Sequence, residues 1–323
     1  MGTGILYLRG ADVVAAMPAL DARLALAERA MTALIADAEL PPKIGVHPRP
    51  EGSFAHAMPA ALRPADPGAT TADDLLGMKW VAGVPANRAA GIAPINALVI
   101  LSDPATGQPI AVLDGGPITA QRTAAVSGVV VRRFGAGAGR VAILGAGVQG
   151  RSHAEMLAGV VPDAELVIYD RHPERAAELA DAVGGTTAPT AREATSDADV
   201  IISAVTFARP EDRQSMTPDW LLPDALVVPV DYAAMCSAAV AQDAALFLTD
   251  DRGQFLANRD AGQFDGYPDP MMTIGEVIAA DTPRPARGRV VASHLGVGLA
   301  DLIFADAIIT RARELGLGME LPR

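Results

Sequence analysis

The chain has few of the features that mark disulfide-rich, membrane-spanning or nucleic-acid-binding proteins. It contains one cysteine, which excludes an internal disulfide framework. No uninterrupted apolar run reaches the roughly 18 residues of a membrane span. Acidic residues outnumber basic ones by 38 to 26, and the net charge of −12 disfavours partners that are bound through Lys and Arg. We therefore expect no nucleic-acid partner and no membrane association.

Three further absences concern the compartment and the chemistry. Residues 1–8 show no charged segment followed by a cleavable apolar core, so we expect a cytoplasmic protein. The five histidines show no metal-ligand spacing, and we expect no metal site. No paired base is evident for Cys236, so the sequence favours a small buried hydrophobe there over a nucleophile.

Aliphatic residues are what the chain has in quantity. Half of its 323 residues are hydrophobic and only 4% are aromatic, so the core must consist mainly of Ala, Val, Leu and Ile. The chain is about twice as long as a typical domain. The sequence therefore predicts one large or two moderate domains.

The first third of the sequence predicts a helix packed on a mostly antiparallel sheet. An apolar strand is expected at residues 5–8, and apolar residues at helical spacing predict a helix over residues 20–38. Short apolar runs separated by Pro and Gly then predict strands at residues 44–46, 54–58, 78–81, 95–101 and 110–113. Residues 103–107 predict a hairpin turn between the last two.

The remainder of the chain alternates strands with helices. After a helix from residue 119 to residue 134 and a Gly/Ala break, strand–helix units follow one another. The predicted strands are residues 141–144, 166–169, 200–204, 226–230 and 246–249. This alternation predicts an α/β fold with a doubly wound parallel sheet of the Rossmann type, beside a smaller α+β domain. A final helix is expected over residues 298–315.

A glycine-rich loop joins the first strand of this region to the next helix. Gly145, Gly147 and Gly150 form a G-x-G-x-x-G pattern, and Asp170 ends the following strand. The pattern allows the backbone and the helix N-terminus to approach a pyrophosphate. Asp170 can accept hydrogen bonds from both ribose hydroxyls and would repel a 2′-phosphate, which favours NAD. Arg171 could instead partner a 2′-phosphate, so NADP is the alternative.

Several short motifs share one register with this loop. They are Met58-Pro-Ala, Lys79-Trp80, Pro85, Asn87, Asp103, Thr106-Gly107, Arg122-Thr-Ala-Ala125 and Asp231. Together they resemble the ornithine cyclodeaminase/mu-crystallin family. That family includes ornithine and lysine cyclodeaminases, an alanine dehydrogenase group and ketimine reductases.

The resemblance implies roles that fit the chemistry of the side chains. Arg122, a planar cation, would bind a substrate carboxylate, with Lys43 as its second ligand. Lys79 would act near the reacting carbon, and an apolar strand is a costly place for a lysine that is neither paired nor used. Asp231 would handle the substrate nitrogen from the carboxyl edge of the sheet. Asp301 resembles an aspartate of the family's C-terminal segment, and helix-start electrostatics is the alternative explanation.

Further contacts are expected with the substrate and with the cofactor. His56 and Met58 are assigned to the substrate, and His56 stands where ornithine cyclodeaminases carry an acidic residue that recognises the distal amine. Many relatives also carry a lysine and a glutamate shortly after Asp231, whereas this chain has neither in residues 232–238. The remaining residues assigned to the cofactor are Asn87, Thr123, Ala146, Val148, Gln149 and Thr206.

The resemblance predicts an NAD-dependent oxidoreductase that acts at the α-carbon of a small amino or imino acid. Two alternatives stay open: a cyclodeaminase with catalytic NAD, and a non-catalytic ligand-binding or accessory subunit of the mu-crystallin type. Residues 119–298 would bind NAD(P), and residues 1–118 with 299–323 would bind the substrate. The latter part would also form a homodimer, since relatives pair their N-terminal sheets.

Overall fold

The computed structural model describes residues 4–206 and 210–323. These residues form two compact units. Unit 1 combines residues 4–122 with Val297–Arg323, and unit 2 comprises Thr123–Gly296. The assignment of substrate and cofactor to particular parts of the chain stays a prediction.

The strands within residues 38–114 follow one another without an α-helix between them, and strands alternate with helices mainly in the later part of the chain. The strands are β1 (Gly4–Leu8), β2 (Ala38–Glu39), β3 (Ile44–Val46), β4 (Phe54–Leu62), β5 (Leu75–Gly83), β6 (Ile95–Ser102), β7 (Pro109–Asp114), β8 (Arg140–Leu144), β9 (Glu165–Tyr169), β10 (Thr186–Thr187), β11 (Val200–Ser203), β12 (Leu226–Pro229), β13 (Leu246–Thr249), β14 (Met272–Thr273), β15 (Val290–Ser293) and β16 (Met319–Pro322). The α-helices are α1 (Gly10–Ala15), α2 (Leu20–Ala33), α3 (Gly115–Phe134), α4 (Val148–Val160), α5 (Pro173–Val183), α6 (Ala191–Thr195), α7 (Ala238–Gln242), α8 (Arg252–Asp260), α9 (Ile274–Ala279) and α10 (Gly298–Glu314). Short 3₁₀ helices lie at Pro85–Ala90, Pro210–Asp212 and Pro218–Trp220.

The described part of unit 1 contains a sheet of eight strands in the order β16-β1-β7-β6-β5-β4-β2, with β3 also paired to β4. Only β1 and β7 are parallel neighbours within it, and the other pairs are antiparallel. Helices α2 and α10 pack together, and α10 also packs on β4, β5 and β6. The prediction of a mostly antiparallel sheet with packed helices is confirmed.

One predicted helix is shorter than the pattern suggested. The Ala-rich stretch predicted a helix over residues 20–38, but α2 ends at Ala33 and is followed by a turn. Ala38 and Glu39 instead pair with the end of β4, opposite Leu62 and Ala61. The backbone groups of these residues are satisfied by the sheet, and this tertiary pairing overrides the local helical preference.

The hairpin predicted at residues 103–107 joins β6 to β7. The Asp103 carboxylate accepts hydrogen bonds from the backbone N–H groups of Ala105 and Thr106 and from the Thr106 hydroxyl. This is the local side-chain bonding that makes aspartate favourable at the start of a turn. The turn sets the antiparallel register of β6 and β7.

Unit 2 contains a parallel sheet whose described strands run in the order β10-β9-β8-β11-β12-β15-β13-β14. Every neighbouring pair is parallel. The chain moves outward from β8 to β9 and β10, then returns to place β11 on the other side of β8. The strand order therefore reverses between β8 and β11, which is where doubly wound sheets bind their ligands. This confirms the predicted α/β fold class. Among the described helices, none combines the length and apolar character needed to span a bilayer.

Candidate active site

Lys79 lies in the middle of β5, on the sheet face that packs against α10. It pairs directly with Met58 on β4 and with Val99 on β6, and directly paired residues point to the same face. Met58 and Val99 are both buried. The apolar alternation of the three strands thus carries a lysine into the core of unit 1, where it is 1% exposed.

The ammonium of Lys79 is held by an aspartate from α10. Asp301 lies in the first turn of that helix and is fully buried. Its Oδ2 is 2.7 Å from Nζ of Lys79, and its Oδ1 accepts a hydrogen bond from Nε of Arg122 at 3.1 Å. Arg122 lies on α3 and is also buried. One carboxylate therefore bridges two buried cations, and the cluster keeps one uncompensated positive charge.

Burial is the main influence on the charge of Lys79. Desolvation lowers the pKa of its ammonium from 10.5 to about 7, although the attraction of Asp301 opposes that change. The neighbouring cation Arg122 lowers the pKa further. A lysine in this environment can give up or take a proton near neutral pH, which an exposed lysine cannot do.

His56 and Lys43 lie close to this cluster, since the charge of Lys43 acts on both the His56 imidazole and the Lys79 ammonium. His56 lies on β4 two residues before Met58, so both side chains are on the face that carries Lys79. Burial lowers the pKa of its imidazole to about 4, and the charges of Lys43, His47 and Lys79 act in the same direction. His56 is therefore neutral at neutral pH, and its ring lies 4.8 Å from that of Phe54 between centroids.

The glycine loop of unit 2 follows β8 at the reversal of strand order. Gly145 has a left-handed φ of 102°, and a Cβ there would lie 2.6 Å from the carbonyl oxygen of Ala204. A Cβ on Gly150 would lie 1.9 Å from the carbonyl oxygen of Gly145. Any residue larger than glycine at this position would therefore push α4 away from the loop. Gly147 faces open space instead, since a Cβ there would meet no described atom within 4 Å.

The first turn of α4 begins at this open side of the loop. Gly147 is the N-cap residue, and Val148 at the first helical position is 67% exposed. The N–H groups of a first helical turn have no partner within the helix, and they carry its positive dipole end. The loop fits a pyrophosphate, and Ala146, Val148 and Gln149 lie where their backbone could approach one.

Asp170 ties the loop to the next strand. Its Oδ2 accepts a hydrogen bond from the N–H of Ala146 at 2.8 Å, and its Oδ1 accepts one from the N–H of His172 at 2.9 Å. A carboxylate has about four acceptor positions, so two remain for ribose hydroxyls. Arg171 beside it is exposed. Asp170 thus holds the loop in place, and it can also accept hydrogen bonds from the hydroxyls of a ribose.

Asp231 follows β12 at the carboxyl edge of the parallel sheet. It accepts hydrogen bonds from the Ser203 hydroxyl at 3.1 Å and from the N–H of Val205 at 3.2 Å. Burial raises the pKa of its carboxyl to about 7, although these hydrogen bonds oppose the rise. The next residue, Tyr232, has a left-handed φ of 60° and stacks on Phe264 at 5.7 Å. A buried carboxyl with such a pKa can exchange a proton near neutral pH.

The other predicted cofactor residues lie in different places. Asn87 lies in the 3₁₀ helix Pro85–Ala90 of unit 1, where its side chain donates to the carbonyl of Ala93 at 3.2 Å. Thr123 is buried on α3, and Thr206 is exposed after β11, next to residues outside the described part of the chain. Their contacts with a cofactor remain predictions.

Asp301 is the residue whose importance the sequence alone did not establish. An aspartate in the first turn of a helix is explained by the helix dipole, so nothing local identified it as the partner of Lys79. Cys236 is fully buried, and burial raises the pKa of its thiol to about 12. A thiol in that state is not an activated nucleophile.

Comparisons with known proteins place this geometry in a family. The model of the ornithine cyclodeaminase/mu-crystallin family matches residues 11–315. The nodulation efficiency protein NfeD of Rhizobium meliloti is 33% identical over 290 residues, which cover 87% of this chain and 86% of the relative. Ketimine reductase mu-crystallin of Mus musculus is 30% identical over 250 residues, which cover 75% of this chain and 78% of the relative.

A reductase from bacteria and one solved structure extend the comparison. A delta(1)-pyrroline-2-carboxylate reductase of Bacillus cereus is 28% identical over 261 residues, which cover 76% of this chain and 80% of the relative. The structure of the Thermococcus litoralis enzyme of that name, in complex with NADH and L-proline, is similar with a TM-score of 0.82. It is 24% identical and covers 98% of this chain and 99% of that one. At this identity the likeness shows the fold.

Proposed function

Because the chain belongs to the ornithine cyclodeaminase/mu-crystallin family, we propose that it is an NAD-dependent oxidoreductase that reduces the C=N bond of a small imino acid. The substrate class is a ketimine or cyclic imine that carries a carboxylate beside the carbon of the double bond. The named reactions of two relatives, ketimine reductase mu-crystallin and delta(1)-pyrroline-2-carboxylate reductase, support this choice.

The observation that carries the proposal is the buried cluster of Lys79, Asp301 and Arg122. Two cations share one carboxylate, at 2.7 and 3.1 Å. A buried charge without compensation is costly, so the cluster favours an anionic ligand of one charge. Arg122 contacts Asp301 through Nε, and the two terminal nitrogen atoms of its guanidinium can still pair with a carboxylate. Lys43 would add a second positive charge on the substrate side.

The loop of unit 2 is the proposed NAD site. The backbone of Gly145–Gly150 would hold the pyrophosphate, and the free acceptor positions of Asp170 would hold the ribose. When bound, NADH supplies the hydride that reduces the imine carbon. The negative charge of Asp170 favours NADH over NADPH, since it would repel a 2′-phosphate.

The protein's own part of the reaction is to bind, orient and protonate the substrate. Lys79 in its ammonium form would hold a proton near the imine nitrogen, and its lowered pKa makes that proton available near neutral pH. Asp231 of unit 2, with its raised pKa, would be a second group that can hold a proton near neutral pH. Reduction of C=N to CH–NH needs one proton, and the return reaction needs the same group in its basic form.

A cyclodeaminase is the main alternative within the family. That reaction would require recognition of a distal ammonium on the substrate. His56, at the corresponding position, is a neutral imidazole close to the charge of Lys43. An imidazole offers no negative charge to such an ammonium, which favours a neutral or cyclic substrate. A non-catalytic accessory role of the mu-crystallin type is disfavoured by the buried pair of Lys79 and Asp301, because a charged pair in the core is weak evidence for stability and suggests another use.

We further propose that the protein is a cytoplasmic homodimer. The sheet face opposite Lys79 carries Leu76 and Trp80 on β5 and Leu98 on β6, and Trp80 pairs directly with Leu98. Trp80 and Leu98 are 40% and 41% exposed in the single chain. An apolar sheet face of this kind supports pairing with a second copy, as the family resemblance predicts.

The test is a substrate screen that follows absorbance at 340 nm. The purified chain with NADH, and in parallel with NADPH, would be given a panel of cyclic and linear imino acids. We expect oxidation of NADH with at least one carboxylate-bearing imine. No turnover with any imine, together with unchanged NADH binding, would instead favour the accessory role.

A further inference from the structure

Three buried polar side chains in unit 2 form a hydrogen-bonded chain that takes no part in the proton transfer described above. The Ser127 hydroxyl is 2.8 Å from Nε2 of His153 and also 2.8 Å from Nε2 of His294. Nδ1 of His153 is 2.7 Å from the carbonyl oxygen of Gln149. All three side chains are at least 97% buried. The chain connects α3, α4 and the residue after β15.

The chemistry of the partners determines where each proton lies. A carbonyl oxygen only accepts, so Nδ1 of His153 must carry a proton. Burial lowers the pKa of His153 to about 4, so its ring is neutral at neutral pH and its Nε2 must accept the hydroxyl proton of Ser127. Ser127 has then no second proton to give, and Nε2 of His294 must donate to it. The chain of donors therefore runs in one direction, from His294 through Ser127 and His153 to Gln149.

The end of this chain is the turn that the proposed function assigns to the pyrophosphate. The carbonyl oxygen of Gln149 also accepts a hydrogen bond from the Ser152 hydroxyl at 3.0 Å. Gln149 lies in the first turn of α4, between Gly147 and Gly150. Two side-chain donors on one carbonyl fix the orientation of that peptide, and the orientation of the turn sets the direction of its free N–H groups.

We infer that Ser127, His153 and His294 are positioning residues that hold the first turn of α4 in the geometry that binds the pyrophosphate of NADH. The inference rests on the proposed NAD site and adds to it the residues that keep its backbone in place. They act through Gln149 and would not touch the cofactor themselves. Because the ring of His153 is neutral, the group that contacts Gln149 adds no charge that would compete with the helix N-terminus for the phosphates.

The position of Ser127 on α3 is consistent with this role. It lies four residues after Thr123, on the same face of the helix, and Thr123 is one of the predicted cofactor contacts. The turn of α4 is thereby tied to the helix that bears this predicted contact.

The first test measures NADH binding by titration calorimetry with the full-length protein. We expect Ser127→Ala to raise the Kd for NADH by about threefold to tenfold, a part of what a broken buried hydrogen-bond network costs. At saturating NADH, kcat should change by less than about twofold, since the reacting groups are untouched. Ser293→Ala is the matched control. Ser293 is also buried in unit 2, and its hydroxyl has no hydrogen-bond partner among the described residues.

Substitutions of His294 separate the hydrogen bond from the space that the side chain fills. His294→Gln keeps an N–H donor at a position similar to Nε2, and it should retain the wild-type Kd within about twofold. His294→Leu removes the donor and should resemble Ser127→Ala. Equal affinity for NADH in wild type, Ser127→Ala and His294→Leu would overturn the inference alone. Failure of the wild type to bind NADH would overturn the proposed function and the inference with it.

A second measurement needs neither a folded variant of Ser127 nor bound cofactor. In the wild-type protein with ¹⁵N-labelled histidine, two-bond proton–nitrogen correlations report which ring nitrogen of each of the five histidines is protonated. We expect a protonated Nδ1 and a bare Nε2 for His153, and a protonated Nε2 for His294. A His153 ring protonated at Nε2 would contradict the direction of the chain and overturn the inference.

Discussion

Oδ2 of Asp301 lies 2.7 Å from Nζ of Lys79, and both side chains are almost wholly buried. The carboxylate comes from the first turn of α10 and the ammonium from the middle of β5. Arg122 shares the same carboxylate, so neither cation is fully neutralised. This relationship explains how an apolar strand can carry a lysine, and it gives the proposed active site both its affinity for anions and its proton.

Lys79→Met should remove most of the activity while leaving the fold intact. Asp301 would keep its pair with Arg122, so no lone buried charge is created. We expect kcat/KM for imine reduction to fall more than tenfold, about 1.4 kcal/mol or more, with NADH affinity unchanged. Steady-state kinetics and NADH titration of the purified variant check this. Retention of more than about a tenth of kcat/KM would show that Lys79 has a structural role only.

The pH dependence should follow the shifted pKa values of Lys79 and Asp231, both about 7. A proton donor works only while protonated, so kcat/KM for imine reduction should fall as the pH rises above about 7. Oxidation of the amine product needs the basic form and should rise over the same interval. The pH profile of Asp231→Asn tells the two donors apart. If the reduction limb near pH 7 persists in that variant, Lys79 supplies the proton; a profile flat from about pH 6 to 9 in the wild type would contradict both assignments.

Cofactor preference should depend on the charge of Asp170. The wild type is expected to bind NADH more tightly than NADPH, and Asp170→Ala should narrow or reverse that difference. Asp170→Asn is the cleaner variant, because it removes the charge while its remaining oxygen can still accept from Ala146 or His172. Dissociation constants for both cofactors measure the effect. A wild type that prefers NADPH would show that Arg171 determines the choice.

The protein should be a poor L-ornithine cyclodeaminase. A distal ammonium would meet the neutral ring of His56 and the charge of Lys43 instead of a carboxylate. We expect this to cost about 2–4 kcal/mol, a factor of about 30 to 1000 in specificity. Proline formation from ornithine measures it, and ordinary cyclodeaminase rates would refute the proposal. A gain of ornithine activity in His56→Glu, with loss of the native activity, would identify His56 as the specificity residue.

Charge on the exposed sheet face should prevent pairing of two copies. Trp80→Glu places a carboxylate opposite Leu98, on the side of β5 that points away from Lys79. We expect the wild type to run as a dimer and this variant as a monomer in light scattering after gel filtration, because a charge at the centre of an apolar interface is costly. Val14→Glu, on the exposed side of α1, is the control and should remain dimeric. A monomeric wild type would exclude the proposed dimer.

The sequence was sufficient for the features that depend on local patterns. Alternating apolar runs predicted the strands around Lys79, and the glycine spacing after a strand predicted the loop at Gly145. What it did not show are pairings between distant residues. Arg122 and Asp301 are 179 positions apart, and Ser127 and His294 are 167 apart. An aspartate at a helix start and a serine within a helix both have ordinary local explanations.

The end of α2 illustrates the same point for secondary structure. The Ala/Leu-rich stretch has the same helical preference on both sides of Ala33, and nothing local marks that residue as an end. The boundary is decided by β4, which lies later in the chain and pairs with Ala38 and Glu39. Propensity is a weak influence compared with a complete set of sheet hydrogen bonds.

The discontinuity of unit 1 has a consequence for biosynthesis. Its sheet includes β16, which pairs with β1, and its ion cluster includes Asp301 on α10. Both elements leave the ribosome only after Thr123–Gly296 has been made, and unit 2 is contiguous in sequence. Until then Asp301 is not available to Lys79 and one edge of β1 lacks its partner strand β16, and an unpaired strand edge favours aggregation of a nascent domain. Unit 2 can therefore finish folding first. The carboxylate of Asp301, which pairs with Lys79, is synthesised after it.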